Sequence, residues 1–295
     1  MTSGGNINKC IKNIAKKGIL MSLQVAEYTD LELKSEMQKV LKDGYTFHYD
    51  QKFTQSELVN YCRRIGNTDD PNMGDLPFNP KDNPDIARVM VGGLFGTTDL
   101  HWHSNGAMHH LGEYKEIIIA LYCKNECRDT VFSILNTKDA FSELPEEEKD
   151  YWRSIDMQLN NFDRGIYGSE EGADADNSLD SYKNNPTASK PLRHDGNDCM
   201  PVVNIHPVGG EEFIYWQPPM IEKAWQNGNE IDVDIIRDKL KTVLDRSIYQ
   251  KHFVFKKGDL LIMDQLYTVH RRSHIVNKSR ELWRVAFDYT TIIKE

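Results

Sequence analysis

The sequence predicts an α+β domain built on a β-sandwich or jelly roll. Short apolar runs of strand length recur from residue 45 to the end of the chain. Helical periodicity is confined to the start and to the connections. There is no internal repeat. A chain of 295 residues is long enough for one large domain or two small ones, and it can bury a sizeable core.

The elements follow from local chemistry. Residues 29–41 read as a helix, because Thr29 or Asp30 can cap it and Leu33, Met37, Val40 and Leu41 share a face. Gly44 ends it, and the alternation of Tyr45, Phe47 and Tyr49 then suggests a strand. Thr54 caps a second helix, which Gly66 closes. Residues 67–85, rich in Pro, Asn and Asp, read as a long loop. Strands are expected over 86–91, 116–123 and 130–135, then a helix over 137–154 broken at Pro145. Residues 161–200 carry scattered Asp and Glu with little apolar periodicity and read as a loop or lid insert. Strands are expected again over 201–205 and 212–216. A helix follows over 231–249, with Ile235, Ile236, Leu240, Val243 and Leu244 on its apolar side. Strands over 252–255, 260–263 and 283–289 complete the chain.

Composition excludes several function classes. The formal net charge of -9 argues against broad nucleic-acid binding, which needs a basic surface. No apolar run approaches the ~18–20 residues of a membrane span. Residues 9–21 are basic, but their apolar stretch is short and interrupted by lysines, unlike a secretory signal. Residues 1–24 are therefore read as an N-terminal arm ahead of a single domain over 25–295. The cysteines are Cys10, Cys62, Cys123, Cys127 and Cys199; an odd, sparse set points to a reducing, cytoplasmic compartment. Cys123 and Cys127 form the one close pair, a weak zinc signal without a second pair.

Two clusters carry chemistry. From Asp99 to Gly106 the chain holds His101, Trp102, His103, Ser104 and Asn105; in an extended segment His101, His103 and Asn105 share a face. From Lys257 a strand-like run leads to His270, with Arg280 and Arg284 further on. Neutral imidazole suits iron, zinc or copper, and guanidinium grips carboxylates in a bidentate fork.

Motifs in order along the chain add a family resemblance. Trp102-His103-Ser104-Asn105 resembles a Trp-His-x-Asp motif, and Asp129-Thr130-Val131-Phe132 an Asp-Thr-x-Phe segment. Pro201 to Pro207 resembles a Pro-Val-Val-x-x-His-Pro strand. Gly258 to His270 resembles a strand bearing a distal histidine, and Arg280 to Val285 a closing arginine strand. Together these resemble the taurine dioxygenase family of iron(II)/2-oxoglutarate oxygenases. The resemblance implies a double-stranded β-helix (jelly-roll, cupin-like) core with flanking helices. It implies Fe(II) held by His103, His270 and the residue at 105, and 2-oxoglutarate held by Thr130 with Arg280, Arg284 or both. It implies a dioxygenase that uses O2 to hydroxylate a small polar metabolite such as a free amino acid, with succinate and CO2 as co-products. The partner is then a small-molecule substrate, with neither nucleic acid nor membrane. Relatives are often dimers or tetramers, so a homo-oligomer is compatible.

One departure matters, because Asn105 stands where the family has a carboxylate ligand. Four readings stay open: Asn105 is a weak ligand in a hydroxylase; water or halide fills the vacancy, as in related halogenases with Gly or Ala there; His101 or another nearby His is the third ligand; or the chain is a non-catalytic relative kept as a binding module. Other histidines get plainer readings. His101, His109 and His110 read as surface or supporting residues, and His206 and Asp264 as structural. Of Arg271 and Arg272, alternation lets at most one face the site.

Overall fold

The computed structural model describes residues 24–68, 83–91, 97, 99–104, 117–159, 200–215, 221–244 and 246–289. Helix α1 (Asp30–Asp43) begins at Thr29, whose side chain accepts from the Glu32 N–H while Glu32 reaches back to the Thr29 N–H. Such a box contributes about 1 kcal/mol. Gly44, at φ 82°, ends the helix in the left-handed conformation that glycine adopts without strain. Strand β1 (Tyr45–His48) follows, then helix α2 (Gln55–Arg63), with the same box made by Thr54 and Glu57. Gly66 does not cap α2, which ends at Arg63. A Cβ on Gly66 would sit 1.7 Å from the Asp288 carbonyl oxygen, so the glycine serves a close approach of two chain segments.

Strands β2 (Ala87–Met90), β3 (Leu100–His103), β4 (Ile118–Asn125) and β5 (Phe132–Asn136) come next. Pro145 divides the expected long helix into α3 (Thr137–Ser142) and α4 (Glu146–Arg153). Three strands escape sequence reading: β6 (Ile155–Leu159) directly after α4, β10 (Ile221–Gln226) and β11 (Asn229–Ile231). Each is short or charge-rich; β10 and β11 form a hairpin over the Asn227-Gly228 turn, and β10 pairs in turn with β6, far back in the chain. Between them lie β7 (Met200–Pro201), β8 (Val203–Ile205) and β9 (Glu212–Ile214). Helix α5 (Val233–Leu244) is shorter than expected: Asp232 accepts from the Asp234 N–H ahead of its first turn, and Ser247–Tyr249 form a separate 3-10 turn beyond its end. Ile235 is 52% exposed rather than buried, lying one residue off the stripe of Ile236, Leu240, Val243 and Leu244. The chain closes with β12 (Gln250–Phe253), β13 (Leu260–Asp264), β14 (Thr268–Arg272) and β15 (Glu281–Phe287).

All strand pairs are antiparallel. The larger sheet has the order β1-β13-β4-β15-β2, and a four-stranded sheet the order β12-β5-β14-β3. Their inner faces meet. Ile119, Leu121, Cys123, Leu261, Met263 and Leu282 of the larger sheet form one apolar cluster with Phe132 and Ile134 of the smaller. Phe47 of β1 stacks on Phe253 of β12 with centroids 4.7 Å apart. The outer face of the larger sheet presents Ile118, Ala120, Tyr122, Ile262 and Val285 to the core that also holds Leu33, Met37, Leu58 and Cys62 of α1 and α2. A second four-stranded sheet, β11-β10-β6-β7, and the β8-β9 pair complete the sheets.

The expected lid insert over 161–200 lies outside the described residues except Met200, which is already in β7. Of the expected N-terminal arm only Gln24 is described, and it is tied down: its side chain donates to the Asp50 carbonyl and accepts from the Lys52 N–H. Among the described residues, no helix is long and apolar enough to cross a membrane.

Candidate active site

Strand β14, between β5 and β3 in the smaller sheet, follows a turn that Asp264 braces. One Asp264 oxygen accepts the N–H groups of Leu266 and Tyr267, each at 2.8 Å. The other is held by His206, at 2.9 Å, and by the Tyr289 hydroxyl, at 2.8 Å. His206 Nδ1 accepts from the N–H groups of Val208 and Gly209, so its Nε2 carries the proton given to Asp264. His206 and Asp264 are thus structural, and they set where His270 emerges.

His270 is directly opposite His103 of β3 and Ile134 of β5. Cross-strand partners share a face, and Ile134 belongs to the apolar cluster between the sheets, so both histidines point inward. Their ring centroids are 4.3 Å apart, and both residues are buried. Phe132 stacks on the His270 ring at 5.3 Å. Burial, then the neighbouring His103, then the charge of Arg284 push His270 well below the usual imidazole range. It is therefore neutral, the form that binds metals, and its buried Nδ1 has no hydrogen-bond partner.

Arg284 reaches this space from the opposite wall. It pairs with Leu121 across β15 and β4, and Leu121 belongs to the same inner cluster. Arg280 precedes it by four residues and is 3% exposed. Among the described residues, the titratable groups that act on Arg280 are the sulfurs of Cys127 and Cys123, and its Nε and Nη1 have no hydrogen-bond partner. The buried Thr130 hydroxyl also lacks a partner. Thr130 shares this neighbourhood, since its N–H donates to the Cys127 carbonyl at 3.0 Å. Buried donors are normally satisfied, and a buried cation without a carboxylate is costly. A buried histidine pair, one member held neutral, with such donors beyond it suits a metal and an anion side by side.

The structure therefore brings together His103, His270 and Arg284, and ties Thr130 by its backbone to Cys127, which acts on the charge of Arg280. Asn105, His109 and His110 lie outside the described residues, as does the side chain of His101. Among the described residues no group of three or more His, Cys, Asp or Glu side chains gathers, so the Cys123–Cys127 pair lacks the further ligands a zinc site needs. Alternation separates Arg271 from Arg272 as expected. Arg271 is exposed and lies over the Trp102 ring at 4.6 Å, while Arg272 is buried opposite Phe132. Sequence reasoning missed the stacking of Phe132 on His270 and the closeness of the cysteine pair to Arg280. The first was foreshadowed by the Asp-Thr-x-Phe segment; the second joins residues far apart in the chain and has no local signal.

The family model for the taurine catabolism dioxygenase TauD, TfdA family matches residues 12–286. The chain belongs to the TauD, TfdA family. A comparison with curated protein sequences finds no match. Among solved structures, a taurine dioxygenase from Burkholderia xenovorans is similar at 14% identity and TM-score 0.60, covering 90% of this chain and 84% of that one. The PvcB protein from Pseudomonas aeruginosa is similar at 15% identity and TM-score 0.61, covering 90% and 82%. AAD-2, in complex with Mn(II) and N-oxalylglycine, is similar at 15% identity and TM-score 0.60, covering 90% and 91%. At such identities the likeness speaks for the fold, the jelly-roll core of TauD-like proteins. As a TauD, TfdA family member the chain is a 2-oxoglutarate-dependent dioxygenase, with Fe(II), 2-oxoglutarate and O2 as its metal and co-substrates. Its residues fit that set: the opposed His103 and a neutral His270 with an unpartnered Nδ1 suit the metal, and the unpartnered Thr130 and Arg280 donors suit a dicarboxylate.

Proposed function

We propose that the chain hydroxylates a small polar metabolite, such as a free amino acid, with succinate and CO2 as co-products. His103 and His270 hold the iron, with residue 105 at the third position. Thr130 and Arg280 take the distal carboxylate of 2-oxoglutarate. The observation that carries this reading is the opposed His103–His270 pair, 4.3 Å between centroids, with unsatisfied buried donors on Thr130 and Arg280. Bound iron with 2-oxoglutarate and O2 supplies the oxidising power for attack on a C–H bond. The residues supply everything else. Burial keeps the His270 lone pair available at neutral pH. The Arg280 fork and the Thr130 hydroxyl orient the dicarboxylate by charge-assisted hydrogen bonds. Arg284 is placed to meet an acidic group of the substrate, which aims the rest of the molecule at the metal. Phe132 and the apolar cluster behind it keep the site dry, which strengthens these interactions.

The same reading takes residues 25–295 as one domain working in the cytoplasm. The unpaired Cys62, Cys123 and Cys127 support a reducing compartment. Asn105, a neutral residue at the family's carboxylate position, supports a second reading: a halogenase that admits chloride beside the metal. The test is anaerobic titration with Fe(II) and 2-oxoglutarate, followed by a substrate screen with and without chloride. A visible metal-to-ligand charge-transfer band and chloride-independent succinate formation are expected. Chloride-dependent turnover with a halogenated product selects the second reading; no band at saturating iron overturns both.

A further inference from the structure

His206 and His270 are both buried, but their rings are held in different ways. His206 is fixed by hydrogen bonds on both nitrogens: Nδ1 accepts from Val208 and Gly209, and Nε2 donates to Asp264. Among the described residues no hydrogen bond reaches the His270 ring, and its buried Nδ1 has no partner. A histidine that ligates a metal almost always fixes its ring by donating its second nitrogen to a carboxylate, a carbonyl or water. Without such a bond, rotation about the Cβ–Cγ bond of an imidazole is soft. The His270 ring therefore needs another means of being aimed.

Phe132 is placed to do this. On β5 it stands two residues before Ile134, the direct partner of His270, so it is the diagonal neighbour of His270 on the same inner face. Its ring stacks on the imidazole, with centroids 5.3 Å apart and an interplanar angle of 21°. The ring of His103 packs on the same imidazole at 4.3 Å, tilted by 51°. Phe132 is itself buried in the apolar cluster between the sheets, where Phe255 meets it edge-on at 5.6 Å and 79°. Turning the imidazole about its Cβ–Cγ bond would give up the face-to-face contact with Phe132.

We infer that Phe132 is a positioning residue for His270: its stacked ring, in place of a hydrogen bond, aims the imidazole at the metal. The inference rests on the reading of His270 as a metal ligand. In this role Phe132 touches neither metal nor co-substrate. It holds the ligand in its bound orientation beforehand, which lowers the ordering cost of binding. A flat ring is what the role requires. An aliphatic side chain fills the space but offers no face to stack on.

The test is metal binding to the full chain. Mn(II) affinity is measured by competition with a chelator, and the visible ligand-field bands of bound Co(II) are recorded alongside. Phe132→Leu should weaken Mn(II) by between about threefold and tenfold, the worth of one stacked aromatic pair, and should alter the Co(II) bands. Phe132→Tyr keeps the ring and should stay within about twofold of the wild type, with its spectrum. Phe255→Leu removes a ring from the same cluster, one contact further from His270. It should lower the urea midpoint but keep the wild-type Mn(II) affinity and Co(II) bands. Circular dichroism checks the folding of each variant. If Phe132→Leu does not fold, Phe132→Met, whose side chain fits irregular gaps, carries the same comparison. Wild-type affinity and bands in the ring-less variant overturn the proposal alone, as does an equal loss of metal in Phe255→Leu. A wild-type chain that binds neither Mn(II) nor Co(II) overturns the functional reading, and this inference with it.

Discussion

His103 and His270 are direct cross-strand partners, their ring centroids 4.3 Å apart on the inner face of one sheet. Neither sequence neighbours nor a shared turn bring them together. The pairing of β3 with β14 does so, and a register slip of one residue would turn one of them out of the site. The Asp264 brace ahead of β14 is thus part of how the site is built, although it touches no substrate.

Replacing His270 with Ala should abolish Fe(II)-dependent binding of 2-oxoglutarate, with a loss of more than about 100-fold. The charge-transfer band on anaerobic titration reads this, and the fold is checked by circular dichroism. Unchanged binding removes His270 from the site.

Arg280→Ala should weaken 2-oxoglutarate by about 2–5 kcal/mol, as expected when one partner of a buried charged pair is lost. Thr130→Val should cost about 1 kcal/mol, the worth of one hydroxyl hydrogen bond. Dissociation constants measured side by side with Mn(II) test the order. If Thr130→Val proves the worse, the roles given to the two residues are wrong.

Asn105→Asp should tighten Fe(II) by about tenfold or more, since a carboxylate is a stronger and charged donor to a divalent metal. Competition with a chelator of known affinity gives the comparison. No change points to a third ligand elsewhere, with His101 the first to test.

Asp264→Ala should destabilise the chain by about 3–5 kcal/mol, because it strips partners from His206, Tyr289 and two backbone N–H groups in the dry interior. The midpoint of urea unfolding measures it. A loss below about 1 kcal/mol would mean that water replaces the carboxylate.

Glu36 supplies a pH dependence. Burial pushes its carboxyl up, but the His48 hydrogen bond and charge, helped by Thr46 and Lys39, more than offset this and hold it below the usual range. A lowered carboxylate contributes stability that is full above the unfolded value of about 4.3 and is lost as pH falls through the folded one. Thermal unfolding of Glu36→Gln should therefore show a shallower acid limb than the wild type. Parallel limbs would assign the acid sensitivity elsewhere.

The sequence by itself determined the capped helices α1 and α2, the break at Pro145, the inward alternation that separates Arg271 from Arg272, and which residue types form the site. These depend on contacts within a few residues: a Thr with a Glu three positions on, a left-handed Gly44, a side-chain period of two. Tertiary structure alone decided the rest. It set Gly66 against Asp288, paired β6 with β10, and buried Glu36 beside His48. It also seated Cys127 beside Arg280, across more than half the length of the chain. Sheet register and facing layers join residues that no local pattern links, and only the packed interior removes the water that would otherwise satisfy Thr130, Arg280 and His270.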